Sequence, residues 1–237
     1  MKKSAFVIIF LACSLMTSAQ WRIGITGGAT YNQYTIDNHY MSDWHYRGAW
    51  GKTPMIKTED KFSCLYVSTL GLIGQYDFCD WFGVRADLNL LMKNHRQYRT
   101  MIPTDYETLN MYIQLPLMAS FSFGGKKLRG FLNAGIYGGY WLNSWNNGHQ
   151  YTLTQERRLV THKNEFAEER DQRYDYGLAG GVGLEWRFTM FKKDWAWQLI
   201  EARIYYSTQS TQKDYMKIKD PRYNTTLALQ SGLCYFF

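Results

Sequence analysis

From Trp21 onward the chain alternates apolar and polar positions with a period of two. In the first such segment Trp21, Ile23, Ile25, Gly27, Ala29 and Tyr31 form one face, and Arg22, Gly24, Thr26, Gly28, Thr30 and Asn32 the other. Period-two alternation is the mark of a β-strand with two different environments, and segments of about ten residues are what a tilted strand needs to cross a bilayer. A second segment, near Phe62 to Tyr76, is apolar on both faces. The third is sharper: Phe82, Val84, Ala86, Leu88, Leu90 and Met92 alternate with Gly83, Arg85, Asp87, Asn89, Leu91 and Lys93. A charge at every second position cannot face lipid, where it costs about 2–4 kcal/mol at the midplane, so these side chains are expected to face a polar interior.

The pattern continues to the end of the chain. Met111, Ile113, Leu115, Leu117, Ala119, Phe121 and Phe123 oppose Asn110, Tyr112, Gln114, Pro116 and Ser120. Leu128, Gly130, Leu132, Ala134, Ile136 and Leu142 oppose Arg129, Asn133, Tyr137 and Asn143. Tyr176, Leu178, Val182, Leu184 and Trp186 oppose Asp175, Glu185 and Arg187, and Ala196, Ile200, Ala202, Ile204 and Tyr206 oppose Glu201, Arg203 and Tyr205. In the last segment Leu229, Ser231, Leu233, Tyr235 and Phe237 share a face. An amphipathic final strand with Tyr235 and a terminal Phe237 is the expected closing strand of an outer-membrane barrel, read by its assembly machinery.

The connections alternate as well. Asp77 to Asp80, Gly124 to Lys127 and Met190 to Asp194 read as tight polar turns. Gln33 to Lys61, Asn94 to Thr108, Trp145 to Arg173 and Thr208 to Arg222 read as long loops. Short turns at one end and long loops at the other define an all-β, up-and-down antiparallel transmembrane barrel of about eight strands. An even strand count places both termini with the short turns, on the periplasmic side.

Residues 1–19 stand outside this pattern and read as a secretory signal peptide: Lys2 and Lys3, an apolar run from Ala5 to Leu15, then Thr17-Ser18-Ala19. The barrel domain is expected over 20–237. A rival reading makes Leu11-Ala12-Cys13 a weak lipobox with Cys13 lipidated. Beyond the leader no apolar run is long enough for a membrane helix. Aromatic residues make up 17% of the chain, which suits a wall alternating between lipid and interior and would equally suit a secreted β-sandwich.

The formal net charge of +7 invites a nucleic-acid reading, but export and the even spread of basic residues argue against it. Attraction to anionic lipid headgroups accounts for it better. Cys64, Cys79 and Cys234 remain after processing, an odd number, with Cys64 and Cys79 expected at opposite ends of one strand as free, buried thiols.

Two strands resemble a known family. Asn110-Met111-Tyr112-Ile113-Gln114-Leu115-Pro116-Leu117 is similar to the tyrosine–hydrophobic–acid–hydrophobic–proline strand of PorT-like outer-membrane barrels, members of the wider porin family. Asp175-Tyr176-Gly177-Leu178-Ala179-Gly180-Gly181-Val182-Gly183-Leu184-Glu185-Trp186 resembles their glycine-rich strand. Gln114 departs from the pattern, which carries an acid there. The resemblance implies a small barrel in the outer membrane of a Gram-negative-type bacterium and little about activity.

The interior-facing charges are expected to be Arg22, Arg85, Asp87, Arg129, Asp175, Glu185, Arg187, Glu201 and Arg203. An eight-stranded barrel is just wide enough to be filled by side chains, so these charges should pair as a plug; a narrow porin-like channel is the alternative. A lipid-modifying enzyme comes third, with His45 beside Asp43 or His162 near Glu165 as candidates. All five histidines fall in or beside outer loops, and no serine sits in a recognisable nucleophile motif. No catalytic site, metal or cofactor is expected. Trp44, Tyr46 and Trp50 could bind a surface ligand or protein partner, and the mixed charges from Glu156 to Arg173 read as a solvated hairpin extending the strands. Outer-membrane lipid and the assembly machinery complete the expected partners.

Overall fold

A computed structural model describes residues 20–36, 56–63, 68–99, 104–151, 156–213 and 222–237. Eleven strands form one antiparallel sheet: β1 (Gln20–Ile36), β2 (Ile56–Ser63), β3 (Thr69–Cys79), β4 (Phe82–Met92), β5 (His95–Arg99), β6 (Thr104–Gly124), β7 (Leu128–Tyr151), β8 (Arg157–Lys163), β9 (Tyr174–Met190), β10 (Lys193–Ser207) and β11 (Arg222–Phe236). Eight of them close into a ring in the order β1-β3-β4-β6-β7-β9-β10-β11, with β11 paired back onto β1 from Arg22↔Phe236 to Ile36↔Arg222. Closure removes the sheet edges that lipid could not satisfy. The backbone amide of Phe237 donates to the carbonyl of Trp21 at 2.9 Å, so the two ends of the described barrel meet at the short-turn end.

The alternation of the sequence becomes an inside and an outside. Along β4, Arg85, Asp87, Asn89 and Leu91 are buried while Ala86, Leu88 and Leu90 are exposed. Ile25, Leu72, Leu117, Ile136, Val182 and Ile204, each about half exposed, form the outer band. Aromatic girdles border it. Trp21, Trp81, Phe123, Trp186 and Trp197 lie toward the turns, and Tyr140, Tyr174, Tyr176 and Tyr206 toward the loops. From Trp21 to Tyr31 the chain rises roughly 33 Å along the strand. At the usual tilt of about 40° that spans roughly 25 Å, the height of an outer-membrane apolar band.

Among the described residues three bulges shift the register, at Phe78, Leu142 and Leu199. At Leu199 the pairing jumps from Gln198↔Glu185 to Ile200↔Leu184. Ile200 and Glu201 keep their expected faces, but Ala196 is buried inside, and Trp195 and Trp197 take the outward side. At Leu142 the pairing jumps from Met111↔Asn143 to Tyr112↔Trp141, which puts Asn143 opposite an outward residue while Trp141 keeps the inward phase of Tyr137. Strict alternation cannot anticipate an extra residue, so the expectations for Ala196 and Asn143 are corrected here.

The long loops are also largely wall. β2 pairs β1 and β5, β5 pairs the start of β6, and β8 pairs the end of β7, so three of the four predicted loops shrink as the barrel wall continues past the apolar band. β7, at 24 residues, is more than twice what a crossing needs. Cys64, Trp44, Tyr46, Trp50, Asp43, His39 and His45 lie outside the described residues, as does the leader. Cys79 and Cys234 are free and buried.

The turns differ in strain. Gly124, at φ 120, supplies the left-handed residue of the β6–β7 turn. The β9–β10 turn instead holds Phe191 and Lys192 at φ 53 and 61. Left-handed geometry costs a residue with a β-carbon about 1–2 kcal/mol. Asp77, expected in a turn, belongs to β3 and is buried.

The inside–outside assignment predicts an asymmetric cost. Val182→Arg, in the middle of the lipid face, should lower unfolding stability by about 2–4 kcal/mol in a urea titration in lipid vesicles. Thr225→Arg, outward at the loop-side girdle, should cost about 0–1 kcal/mol.

Candidate functional site: the charge-filled lumen and its loop-end mouth

The lumen is built by inward residues of all eight ring strands, and the charged ones stack in three tiers. The middle tier is a closed quartet on β4 and β10. Arg85 Nε bonds Asp87 at 2.8 Å and its Nη2 lies 3.2 Å from Glu201; Arg203 bonds Asp87 and Glu201 at 2.7 Å each. All four side chains are essentially unexposed. Asn133 Nδ2 donates to Glu201 at 3.0 Å, and Arg203 donates to the Tyr205 hydroxyl at 3.1 Å. Spacing along a strand explains the intrastrand contacts, since residues two apart share a face.

Toward the turns, Arg22 bridges Asp77 at 2.5 Å and Glu185 at 2.8 Å, while Arg187 bonds Glu185 at 2.7 Å. The guanidiniums of Arg22 and Arg187 both lie about 5 Å from the Phe236 ring centre. Phe131 fills more of this level. Inward Gly183 leaves room for it, because a β-carbon there would come within 2.4 Å of its ring. Arg129 is the outlier. It sits half-exposed at the turn-side rim and donates to the backbone carbonyl of Asp80.

Toward the loops, Lys93 Nζ bonds Asp175 at 2.5 Å and faces the rings of Tyr112 and Tyr137 at 4.8 and 5.3 Å. Asp175 also accepts from Tyr137 and Ser207. Above this cage Trp141 stacks on Tyr112 with 5.7 Å between ring centres, and Phe166 packs edge-on against Trp141. Arg173 covers Phe166 and donates to the carbonyls of Trp141 and Leu142. The segments 164–173 and 208–213 are laced together by Gln172→Thr211 and Lys213→Arg170 backbone bonds. Among the described residues, side chains and backbone thus pack over the loop-side tier.

The expected interior set is therefore brought together, with Arg129 at its rim. Asp77 and Lys93 belong to it as well: Asp77 reads as a turn residue in the sequence, and Lys93 stands on the polar face of its segment without being among the expected interior charges. Gln114 occupies the inner face, 1% exposed, where the related strands carry an acid; Gly139 beside it leaves space for its side chain. Its neutrality fits tiers whose acids and bases already match. His95 is buried rather than solvated. Beyond the apolar band, burial and the Arg222 guanidinium push its imidazole down to about 4, so it is neutral. His162 is exposed, with Asn146 Nδ2 3.4 Å from its Nε2.

A family model described as the outer membrane protein beta-barrel domain matches residues 15–211. The chain belongs to this family. Its place is accordingly the bacterial outer membrane. The PorT-like likeness rests on the two strand motifs alone. No curated protein matches the chain. Among solved structures it is similar to Ail, the attachment invasion locus protein of Yersinia pestis, in complex with the heparin analogue sucrose octasulfate; identity is 14%, over 92% of this chain and 99% of that one, at TM-score 0.38. Neisserial surface protein A matches at 11% identity over 93% and 99%, TM-score 0.41. OprG from Pseudomonas aeruginosa matches at 14% over 91% and 95%, TM-score 0.41.

The quartet predicts strong, coupled energetics. Glu201→Leu alone leaves Arg85 and Arg203 short of a carboxylate in a dry interior and should cost about 3–5 kcal/mol. The double variant Glu201→Leu/Arg203→Met should cost less than the sum of the singles, read from urea unfolding of the four proteins. Additive losses would mean that the two groups do not interact.

Proposed function

We propose that this protein is a closed barrel whose working surface is the wall that continues past the lipid on the loop side, displayed outside the cell to bind a ligand or partner. The observation that carries this reading is the filled lumen. Paired charges occupy it at three levels and Trp141 with Phe166 covers it, so a solute would have to break several desolvated ion pairs to pass. A barrel that transports nothing still costs a cell material, and what distinguishes this one is its loop side. There β7 and β8 run on as a hairpin, from Trp145↔Lys163 to Tyr151↔Arg157. Among the described residues β8 pairs with β7 alone, and its outward Leu159 is 66% exposed. A free strand edge and an exposed apolar side chain on a rigid hairpin are features that recognise proteins.

In this reading the short turns and both termini face the periplasm. A narrow channel and a lipid-modifying enzyme are the readings it displaces, and neither draws support from a particular contact.

Orientation and binding are tested together. In a Cys64→Ser background, Thr161→Cys should react with a membrane-impermeant maleimide on intact cells, and Lys126→Cys only after the membrane is breached; the native Cys79 and Cys234 are buried and serve as internal controls. A photo-crosslinking amino acid at Leu159 should give a discrete adduct on whole cells, and one at Leu132 on the lipid face should give no protein adduct. The reverse labelling pattern, or no adduct at Leu159 and Thr161, would overturn the proposal.

A further inference from the structure

The charges outside the lumen are distributed unevenly. Near the mouth, bases and acids are mixed: Arg96 pairs Asp105 at 2.5 Å and Arg170 pairs Asp171 at 2.9 Å. The turn end is different. Lys126 and Lys127 form the tip of the β6–β7 turn, and Lys192 and Lys193 stand at the β9–β10 turn, all four exposed. The exposed acidic side chains of this end, among the described residues, are Asp80 and Asp194. Asp194 accepts a hydrogen bond from Thr189, and the acids Asp77 and Glu185 are spent on Arg22 and Arg187 inside.

The two lysine turns are neighbours. β7 pairs β9 at Leu128↔Trp186, and the amide of Arg187 donates to the carbonyl of Lys127 at 2.7 Å. Arg129 adds its half-exposed guanidinium at the same rim. The cluster sits directly beyond the girdle of Trp186, Phe188, Trp195 and Trp197, at the depth where a bilayer keeps its phosphates. The β9–β10 hairpin reaches further, because Thr189, Met190, Lys193 and Asp194 pair only with one another. Its tip presents Phe191, 86% exposed, beside Met190, 40% exposed. The turn that carries this ring is costly, since both of its left-handed residues have a β-carbon. An apolar tip flanked by ammonium groups suits the headgroup layer, where the ring enters the acyl boundary and the lysines meet phosphate.

We propose that the β6–β7 and β9–β10 turns together form a binding site for anionic phospholipid headgroups, with Lys126, Lys127, Lys192 and Lys193 as the phosphate ligands and Phe191 as the apolar anchor. The site holds lipid in the leaflet at the turn end. It depends on the chain spanning a membrane and not on what the loop-end wall binds, so either proposal can fail alone.

Native mass spectrometry of the full-length protein in detergent, with chain-matched phosphatidylglycerol or phosphatidylcholine added, reads the site directly. Wild type should retain phosphatidylglycerol several-fold more than phosphatidylcholine. Replacing the four lysines by glutamine should abolish the preference while the unboiled protein still migrates as a compact barrel. Phe191→Asn/Lys192→Gly supplies a relaxed turn, and should raise thermal stability while lowering phosphatidylglycerol retention. Arg158→Gln/Lys163→Gln at the other end should leave the preference intact. Equal retention of both lipids by wild type, or a preference that survives the quadruple replacement, would overturn the site. Displacement of bound lipid by millimolar inorganic phosphate would assign the lysines to a free anion and overturn it equally.

Discussion

Four side chains on two strands, Arg85 and Asp87 from β4 and Glu201 and Arg203 from β10, set the conditions for the rest of the molecule. These strands lie across the ring from one another, and each contributes an acid and a base two residues apart. Each acid meets both guanidiniums, so the charges of the quartet balance one another. That balance lets an eight-stranded barrel carry ionised groups at its centre, where an unpaired charge would be expelled or neutralised. It also ties the two sides of the wall through the interior.

The other tiers extend the same solution with different partners. At the turn side Arg22 and Arg187 share Glu185 and lie near Phe236. At the loop side a lysine replaces arginine, and two tyrosine rings with one aspartate surround its ammonium. Aromatic faces do there what a second carboxylate does in the quartet. The lumen is therefore polar in composition and lined by paired charges. The outer surface has the opposite task. It offers lipid an apolar band, and among the described residues its exposed lysines cluster beyond the girdle at the turn end, with mixed charge and the β8 edge at the other.

Much of this was legible in the chain. The charged faces of β4, β9 and β10 could be read because lipid tolerates no charge in the other phase of the alternation, so Arg85, Asp87, Asp175, Glu185, Glu201 and Arg203 fell on the correct side. Pairing partners were not legible, because Arg22–Asp77 and Arg203–Asp87 depend on strands far apart in sequence. Ala196 and Asn143 were misplaced because a bulge adds one residue without changing composition. Asp77 looked like a turn residue by type, yet it sits in the ladder opposite Gly83 and Gln20. The extension of the wall by β2, β5 and β8 was hidden for another reason. Above the bilayer both faces of a strand can be polar, and the periodic signal vanishes while the hydrogen-bonded ladder continues.

The central claim is that ion pairs shut this barrel, and single-channel recording in planar bilayers tests it most directly. Wild-type protein, refolded and inserted, should give a silent trace across the voltage range. Stable, ion-selective steps from wild type, altered by replacing Arg85 or Glu201, would contradict the account and make the lumen a channel.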